Sequence, residues 1–155
     1  MKVEHADITD IDTLTELRLA YLKEDYGNLS EDNIKKIKQA LPDYFKKNLN
    51  QNIFCYVIKE NEEIIACAFL LIIEKPMSPA FITGKTGTVL NVYTAPAYRH
   101  QGCAQMIMNK LLSDAVQKNL SVVELKATED GYHLYKSVGF ADDVSRYHLM
   151  KWYNQ

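Results

Sequence analysis

The period of the hydrophobic pattern changes along this chain, and each change marks an element. Lys2 to Ala6 is short and alternating and reads as a first strand. From about Asp12 to Asp25, Leu14, Leu17, Leu19, Tyr21 and Leu22 form an imperfect helical stripe. Thr9 or Asp10 is placed to cap that helix, and Gly27 and Asn28 end it. A second helix follows a cap at Ser30 or Asp32 and turns Ile34, Ile37, Leu41, Tyr44 and Phe45 inward. Pro42 is expected to kink or divide it, because proline has no N–H to donate and crowds the preceding turn. Lys35, Lys36 and Lys38 flank the apolar positions and read as a solvated face.

The middle of the chain reads as strands. Ile53 to Lys59 alternates, and Glu60-Asn61-Glu62-Glu63 is a polar turn. Ile64 to Glu74 is a long apolar run, as expected of a central strand covered on both faces. Pro76 and Pro79 break it, and Gly84-Lys85-Thr86-Gly87 reads as a hairpin turn into the next strand. That turn contains a fragment of a phosphate-loop motif, but the full glycine spacing and the following helix are missing. After a strand through Val89, Leu90, Val92 and Tyr93, the residues Ala104, Ile107, Met108, Leu111, Leu112, Ala115 and Val116 share one helical face. Asn119 is placed to end that helix in a left-handed conformation. Ser121 to Ala127 reads as a strand, Asp130 to Val138 as a short helix stopped by Gly139, and Tyr147 to Tyr153 as an edge strand that offers a surface for a homodimer. Helices on a mixed sheet follow from this order, an α/β or α+β fold. No repeat or linker divides the 155 residues, and the length fits one domain.

Composition narrows the function. Apolar residues make up 47% and charged residues 25%, the balance of a protein with a substantial core. A net charge of −2 gives no reason to expect nucleic acid or an anionic membrane as partner. No apolar run is long enough to span a bilayer and no signal peptide opens the sequence, so a cytoplasmic location is expected. Cys55, Cys67 and Cys103 have no metal-ligand spacing, and His5, His100, His133 and His148 are scattered, so no metal is expected. Cys55 and Cys67 lie in apolar runs and read as buried thiols. Cys103 would lie at a helix N-terminus, where a thiol pKa tends to fall.

The chemistry concentrates in Leu90 to Ala104. A strand ends at Pro96, a polar turn follows, and Gly102 precedes an amphipathic helix. The first N–H groups of a helix have no partners inside it, and with the positive end of the macrodipole they favour a phosphate. The residues therefore describe a phosphate cradle.

Arg99-x-x-Gly102-x-Ala104 resembles the (Gln/Arg)-x-x-Gly-x-(Gly/Ala) motif of the GNAT N-acetyltransferases, and Leu134-Tyr135-x-x-x-Gly139-Phe140 resembles that family's closing motif. The resemblance is clear from about Thr88 to Phe140. It implies a GNAT-like acyl-CoA N-acyltransferase fold, with a mostly antiparallel central sheet flanked by helices. It also implies transfer of the acetyl group of acetyl-CoA to a primary amine by direct attack in a ternary complex. The backbone from His100 through Gln105 (His100, Gln101, Gly102, Cys103, Ala104 and Gln105) would hold the pyrophosphate, with Arg99 opening the motif. Val92, Tyr93 and Thr94 would meet the pantetheine arm, and Thr128 stands where many relatives carry a pantetheine-binding asparagine. Tyr135 would be the general acid, since a phenol with a pKa near 10 keeps its proton at neutral pH and can yield it to a thiolate. Gly131 stands where a small residue is common. Thr88 stands near the place of a glutamate base, and no residue is named for that role; Glu24, Asp25 and Glu74 could serve, but each reads more readily as a surface carboxylate. The acceptor, a small-molecule or peptide amine, stays open. Tyr21, Glu24, Asp25, Tyr26 and Tyr44 lie in the region that selects it. A non-catalytic acyl-CoA-binding module of the same fold is the alternative reading.

Overall fold

A computed structural model describes residues 1–155. Five strands, β1 (Val3–His5), β2 (Ile53–Glu60), β3 (Glu63–Glu74), β4 (Lys85–Thr94) and β5 (Val122–Glu124), lie in one sheet in chain order. The first four pair antiparallel, and β4 and β5 run parallel. Helices α1 (Ile11–Tyr26) and α2 (Glu31–Asn48) separate β1 from β2, α3 (Cys103–Gln117) connects β4 to β5, and α4 (Glu129–Ser137) follows β5. This is the mixed α/β arrangement that the sequence pattern implies.

Alternation along the strands divides the core in two. Ile53, Cys55 and Val57 of β2 pack with Leu14 and Phe45 from α1 and α2 on one face. Tyr56 and Ile58 pack with Ile107, Met108, Leu111 and Tyr135 from α3 and α4 on the other. In β3 the whole run Ile65 to Leu70 is buried, because helices cover both faces there.

Local chemistry sets the boundaries. Asp7 caps a turn at Ile8–Asp10 that runs directly into α1, its carboxylate accepting from the Thr9 N–H at 2.8 Å, and Gly27 ends α1 at φ 73°. Thr9 is thus inside the capped turn, while Asp10 holds the N-cap position of α1 without a side-chain cap bond, its carboxylate accepting instead from the Asp7 N–H at 3.0 Å. Ser30 caps α2, accepting from the Asn33 N–H at 3.1 Å. Of the two outcomes expected at Pro42, division does not occur: α2 runs through it. Proline removes one donor, but the turns beyond it are anchored by buried Phe45, whose ring meets Phe69 edge-on at 5.8 Å. Gly84 takes φ 73° in the turn, while Lys85 to Gly87 already belong to β4 and pair with β3, so no phosphate loop forms there. An added Cβ at Gly87 would lie 2.8 Å from Leu70 Cδ1 and 3.0 Å from Leu120 Cδ1, so those leucine side chains would have to shift.

Three expectations need correction. β5 spans three residues instead of Ser121–Ala127, because its pairing with β4 stops at Thr88↔Glu124. Tyr147–Tyr153 is not a strand: no ladder reaches it, and Tyr147, Leu149, Met150, Trp152 and Tyr153 are all exposed. On α3, Val116 is exposed at 79% while Asp114 is buried. Asp114 tolerates burial because Tyr56 donates its hydroxyl at 3.0 Å, Lys110 its ammonium at 3.0 Å, and His5 Nε2 lies at 3.2 Å. Burial alone would raise the Asp114 carboxyl, but these donors and charges hold it below the ordinary carboxylate range.

Candidate active site

The cradle begins where β4 ends. A turn at Pro96–Tyr98 leads to His100 at φ 63° and Gly102 at φ 83°, and α3 starts at Cys103. The first helical hydrogen bond is from Met106 N–H to the Gly102 carbonyl at 3.0 Å. The N–H groups of His100, Gln101, Gly102, Cys103, Ala104 and Gln105 find no acceptor in the protein. An added Cβ on Gly102 would meet nothing within 4 Å, so the space before these donors is open. This is a cradle that fits an anion, with donors supplied by backbone shape.

The side chains of the motif are engaged elsewhere. Gln101 Nε2 donates back to the Ala97 carbonyl at 3.3 Å. The Cys103 side chain is buried beneath the turn, near the Tyr98 carbonyl at 3.9 Å, so only its backbone faces the cradle. Arg99 donates from Nε to the Thr94 carbonyl at 2.8 Å and from Nη2 to Glu24 Oε1 at 2.7 Å, with the Tyr93 ring 5.5 Å from its guanidinium. Arg99 therefore ties the end of α1 to the end of β4, and Glu24 is an ion-pair partner.

A bulge shapes β4 just before the cradle. The β3 register passes from Phe69↔Leu90 to Cys67↔Tyr93, and Asn91 takes φ 57°. Asparagine tolerates this left-handed conformation better than most residues. Its buried side chain accepts from Arg18 Nη1 at 3.3 Å and donates to the Leu17 carbonyl at 3.5 Å, while the Cys67 thiol donates to the Asn91 carbonyl at 3.6 Å. Burial pushes the Cys67 thiol up to about 12. The outer side of β4 from Val89 to Thr94 has no strand partner, since pairing with β5 ends at Thr88. Val92, Tyr93 and Thr94 thus have one backbone edge without a strand partner.

Tyr135 enters from α4. It is 9% exposed and packs edge-on against Phe140 at 6.0 Å. Its hydroxyl has no partner in the protein, and burial first, then the neighbouring Tyr21, push it up to about 12. An added Cβ on Gly131 would lie 2.7 Å from Tyr135 Cε2 and 3.3 Å from its hydroxyl oxygen. The phenol lies back over the preceding helical turn, and the glycine makes room for it. Thr128 caps α4, its hydroxyl accepting from the Gly131 N–H at 3.2 Å. Thr88 is half-buried in the β4–β5 pairing, His100 and His133 are exposed, and no three His, Cys, Asp or Glu side chains come together as a metal-binding group.

The profile of the acetyltransferase (GNAT) family matches residues 12–140. The chain belongs to this family. Among solved structures, a predicted acetyltransferase from Clostridium acetobutylicum, solved with acetyl-CoA, is similar at 29% identity and a TM-score of 0.83, over 97% of this chain and 95% of that one. A GCN5-related N-acetyltransferase from Ralstonia eutropha is similar at 23% identity and a TM-score of 0.81, over 96% of this chain and 97% of that one. A transcriptional regulator from Bacillus halodurans is similar at 16% identity and a TM-score of 0.71, over 98% of both chains. The last two likenesses are of fold alone. No curated protein matches the sequence. No helix of this GNAT chain is long and apolar enough to cross a membrane.

The sequence points to the cradle, β4 and Tyr135, and in the structure Tyr135 shares a core cluster with Val89 of β4 and Cys103 at the start of α3. Sequence reasoning missed Asn91 and Arg18. The available signal was an asparagine in the middle of an apolar strand.

Proposed function

We propose that this GNAT chain, acting as one domain over residues 1–155, is an acetyl-CoA-dependent N-acetyltransferase of a primary amine, working by direct attack in a ternary complex in the cytoplasm. The observation that carries this reading is the set of N–H groups from His100 to Gln105 without acceptors, beside the open edge of β4 and the partnerless hydroxyl of Tyr135. When bound, acetyl-CoA supplies the acetyl group as an activated thioester. The cradle holds a pyrophosphate through backbone donors, so Gly102 and Ala104 matter for their small size. The backbone of Val92, Tyr93 and Thr94 holds the pantetheine arm, and a N–H of this strand polarises the carbonyl at the reacting carbon. The Thr128 hydroxyl, an acceptor within its cap, retains a hydrogen to donate. Tyr135 Oη keeps its proton throughout the neutral range, because its pKa lies well above 10; it would deliver that proton to the sulfur as the C–S bond breaks, while the proton shed by the newly acylated nitrogen would pass to solvent, from which the phenol is restored. Arg99 acts by position, locking β4 to α1.

A second reading, a non-catalytic acyl-CoA-binding module, rests on position 88 being a threonine, which cannot serve as base; Glu124, its partner across the ladder, is exposed. Acetyl-CoA and CoA, but not ATP, are expected to raise Tm under both readings. Thiol release from acetyl-CoA across a panel of amines separates them. Tyr135→Phe is expected to lower kcat by about 100-fold, within the usual range for a general acid. Full turnover by that variant at every pH would remove Tyr135 from the mechanism. We further propose that the uncovered apolar tail from Val144 to Tyr153 is the contact of a homodimer, since the outer edge of β5 is also unpaired.

A further inference from the structure

Arg18 is a half-buried cation without an anion. Its Nη1 donates to the neutral Asn91 Oδ1 at 3.3 Å, and it takes part in no ion pair. The chain's other arginines are used: Arg99 pairs with Glu24, and Arg146 contacts Tyr147. A guanidinium carries five donors in a rigid fork suited to a carboxylate. Removing it from water without a counter-charge is costly, so the missing partner calls for an explanation.

The surroundings indicate what would supply the partner. Arg18 lies at a groove of about 420 Å³ between α1 and α2, with Leu22, Ile37, Leu41 and Tyr44 as apolar walls and Lys36 at its edge. Lys36 is already paired with Asp32 at 2.9 Å, and no carboxylate lines the groove. α2 leaves this groove open because its first half buries nothing fully; Phe45 is its only buried residue. Through Asn91, the guanidinium is joined to the bulge of β4.

We propose that the acceptor is a primary amine that also carries a carboxylate and an apolar body, in its smallest form a free apolar α-amino acid, with Arg18 binding the carboxylate. This rests on the acetyltransferase reading. A carboxylate at Arg18 gives the half-buried charge its counter-ion and sets the adjacent amine beside the β4 bulge, while the apolar body occupies the groove between α1 and α2. A polyamine or another polycation meets an unpaired positive charge there and is disfavoured.

The test compares L-leucine and L-phenylalanine with isoamylamine and phenethylamine, which lack the carboxylate, and with the two amino-acid amides, in which it is neutral. Thiol release from acetyl-CoA gives kcat and KM. The carboxylates are expected to be favoured in kcat/KM by about 10- to 100-fold, the usual worth of a charged hydrogen-bonded pair. In Arg18→Gln that preference should vanish through a rise in KM for the amino acids, and Arg18→Lys should recover part of it. Equal or better use of the plain amines by the native protein would overturn the proposal. A preference that survives Arg18→Gln, or an Arg18→Gln loss that is uniform across all six acceptors, would do the same, since a purely structural arginine acts that way. The rise in Tm with acetyl-CoA reports on cofactor binding, and thiol release with any of the six acceptors reports on the underlying acetyltransferase reading. If the plain amines or amides react and the carboxylates do not, the carboxylate proposal has failed; if Tm rises and none of the six reacts, the acetyltransferase reading has failed with it.

Discussion

Gly131→Ala tests the site through a contact one methyl group wide. The added Cβ would lie 2.7 Å from Tyr135 Cε2, 3.2 Å from Cζ and 3.3 Å from the hydroxyl oxygen. Carbon atoms rest at about 3.5–4.0 Å, so the ring must retreat by about 1 Å at its nearest edge. Tyr135 is 9% exposed and packed against Phe140, and it cannot swing freely into solvent. Alanine in place of glycine stabilises a helix by up to about 1 kcal/mol, while overpacking costs about 1–3 kcal/mol. The net change in stability is therefore small and the protein stays folded. Catalysis is expected to suffer more, because a misplacement of about 1 Å at a reacting group can cost about 100-fold. The assay is single-turnover thiol release, with acetyl-CoA affinity measured in parallel. Chemistry should slow by about 10- to 100-fold while affinity changes little. The double variant Gly131→Ala/Tyr135→Phe should be no slower than Tyr135→Phe alone, since the glycine acts through the phenol. Native kinetics in Gly131→Ala, or a double variant slower by the product of the two effects, would refute the reasoning.

Other consequences are separable. Gly102→Glu sets a carboxylate before the unpaired N–H groups and forces a side chain into φ 83°, at a strain of about 1 kcal/mol. It should abolish the rise in Tm caused by acetyl-CoA while lowering the Tm of the free protein only slightly, and an unchanged response would misplace the cradle. Asp114 is held below its ordinary pKa of 3.8, so its contribution to stability is complete above that value and is lost as pH falls through the lower folded value. Asp114→Asn should reduce Tm at pH 7 and flatten its decline below about pH 4; parallel declines in native and variant protein would count against the buried network. Removal of Val144–Gln155 should convert a dimer to a monomer in sedimentation equilibrium, and a native protein monomeric at all concentrations would end the homodimer proposal.

What the sequence determined by itself is what depends on neighbours along the chain. The two faces of β2 and β3 follow from side-chain alternation, the caps and glycine stops from local donors and φ, and the cradle from a helix start that cannot satisfy its own N–H groups. Tyr135 was legible because its spacing to Gly139 is a local motif. The tertiary structure decided what depends on residues far apart. Asn91 reads as a flaw in a strand until Arg18, 73 residues away, and Leu17 are found on its side chain. Asp114 reads as a surface residue until Tyr56 and His5 converge on it. Pro42 reads as a break until the packing of Phe45 shows what holds the helix past it. A tail rich in apolar residues looked like a strand, yet strand formation needs a partner edge, and none reaches it within this chain. Local pattern fixes which element a segment favours; which polar groups are satisfied, and which are left waiting for a ligand, is settled only when distant segments meet.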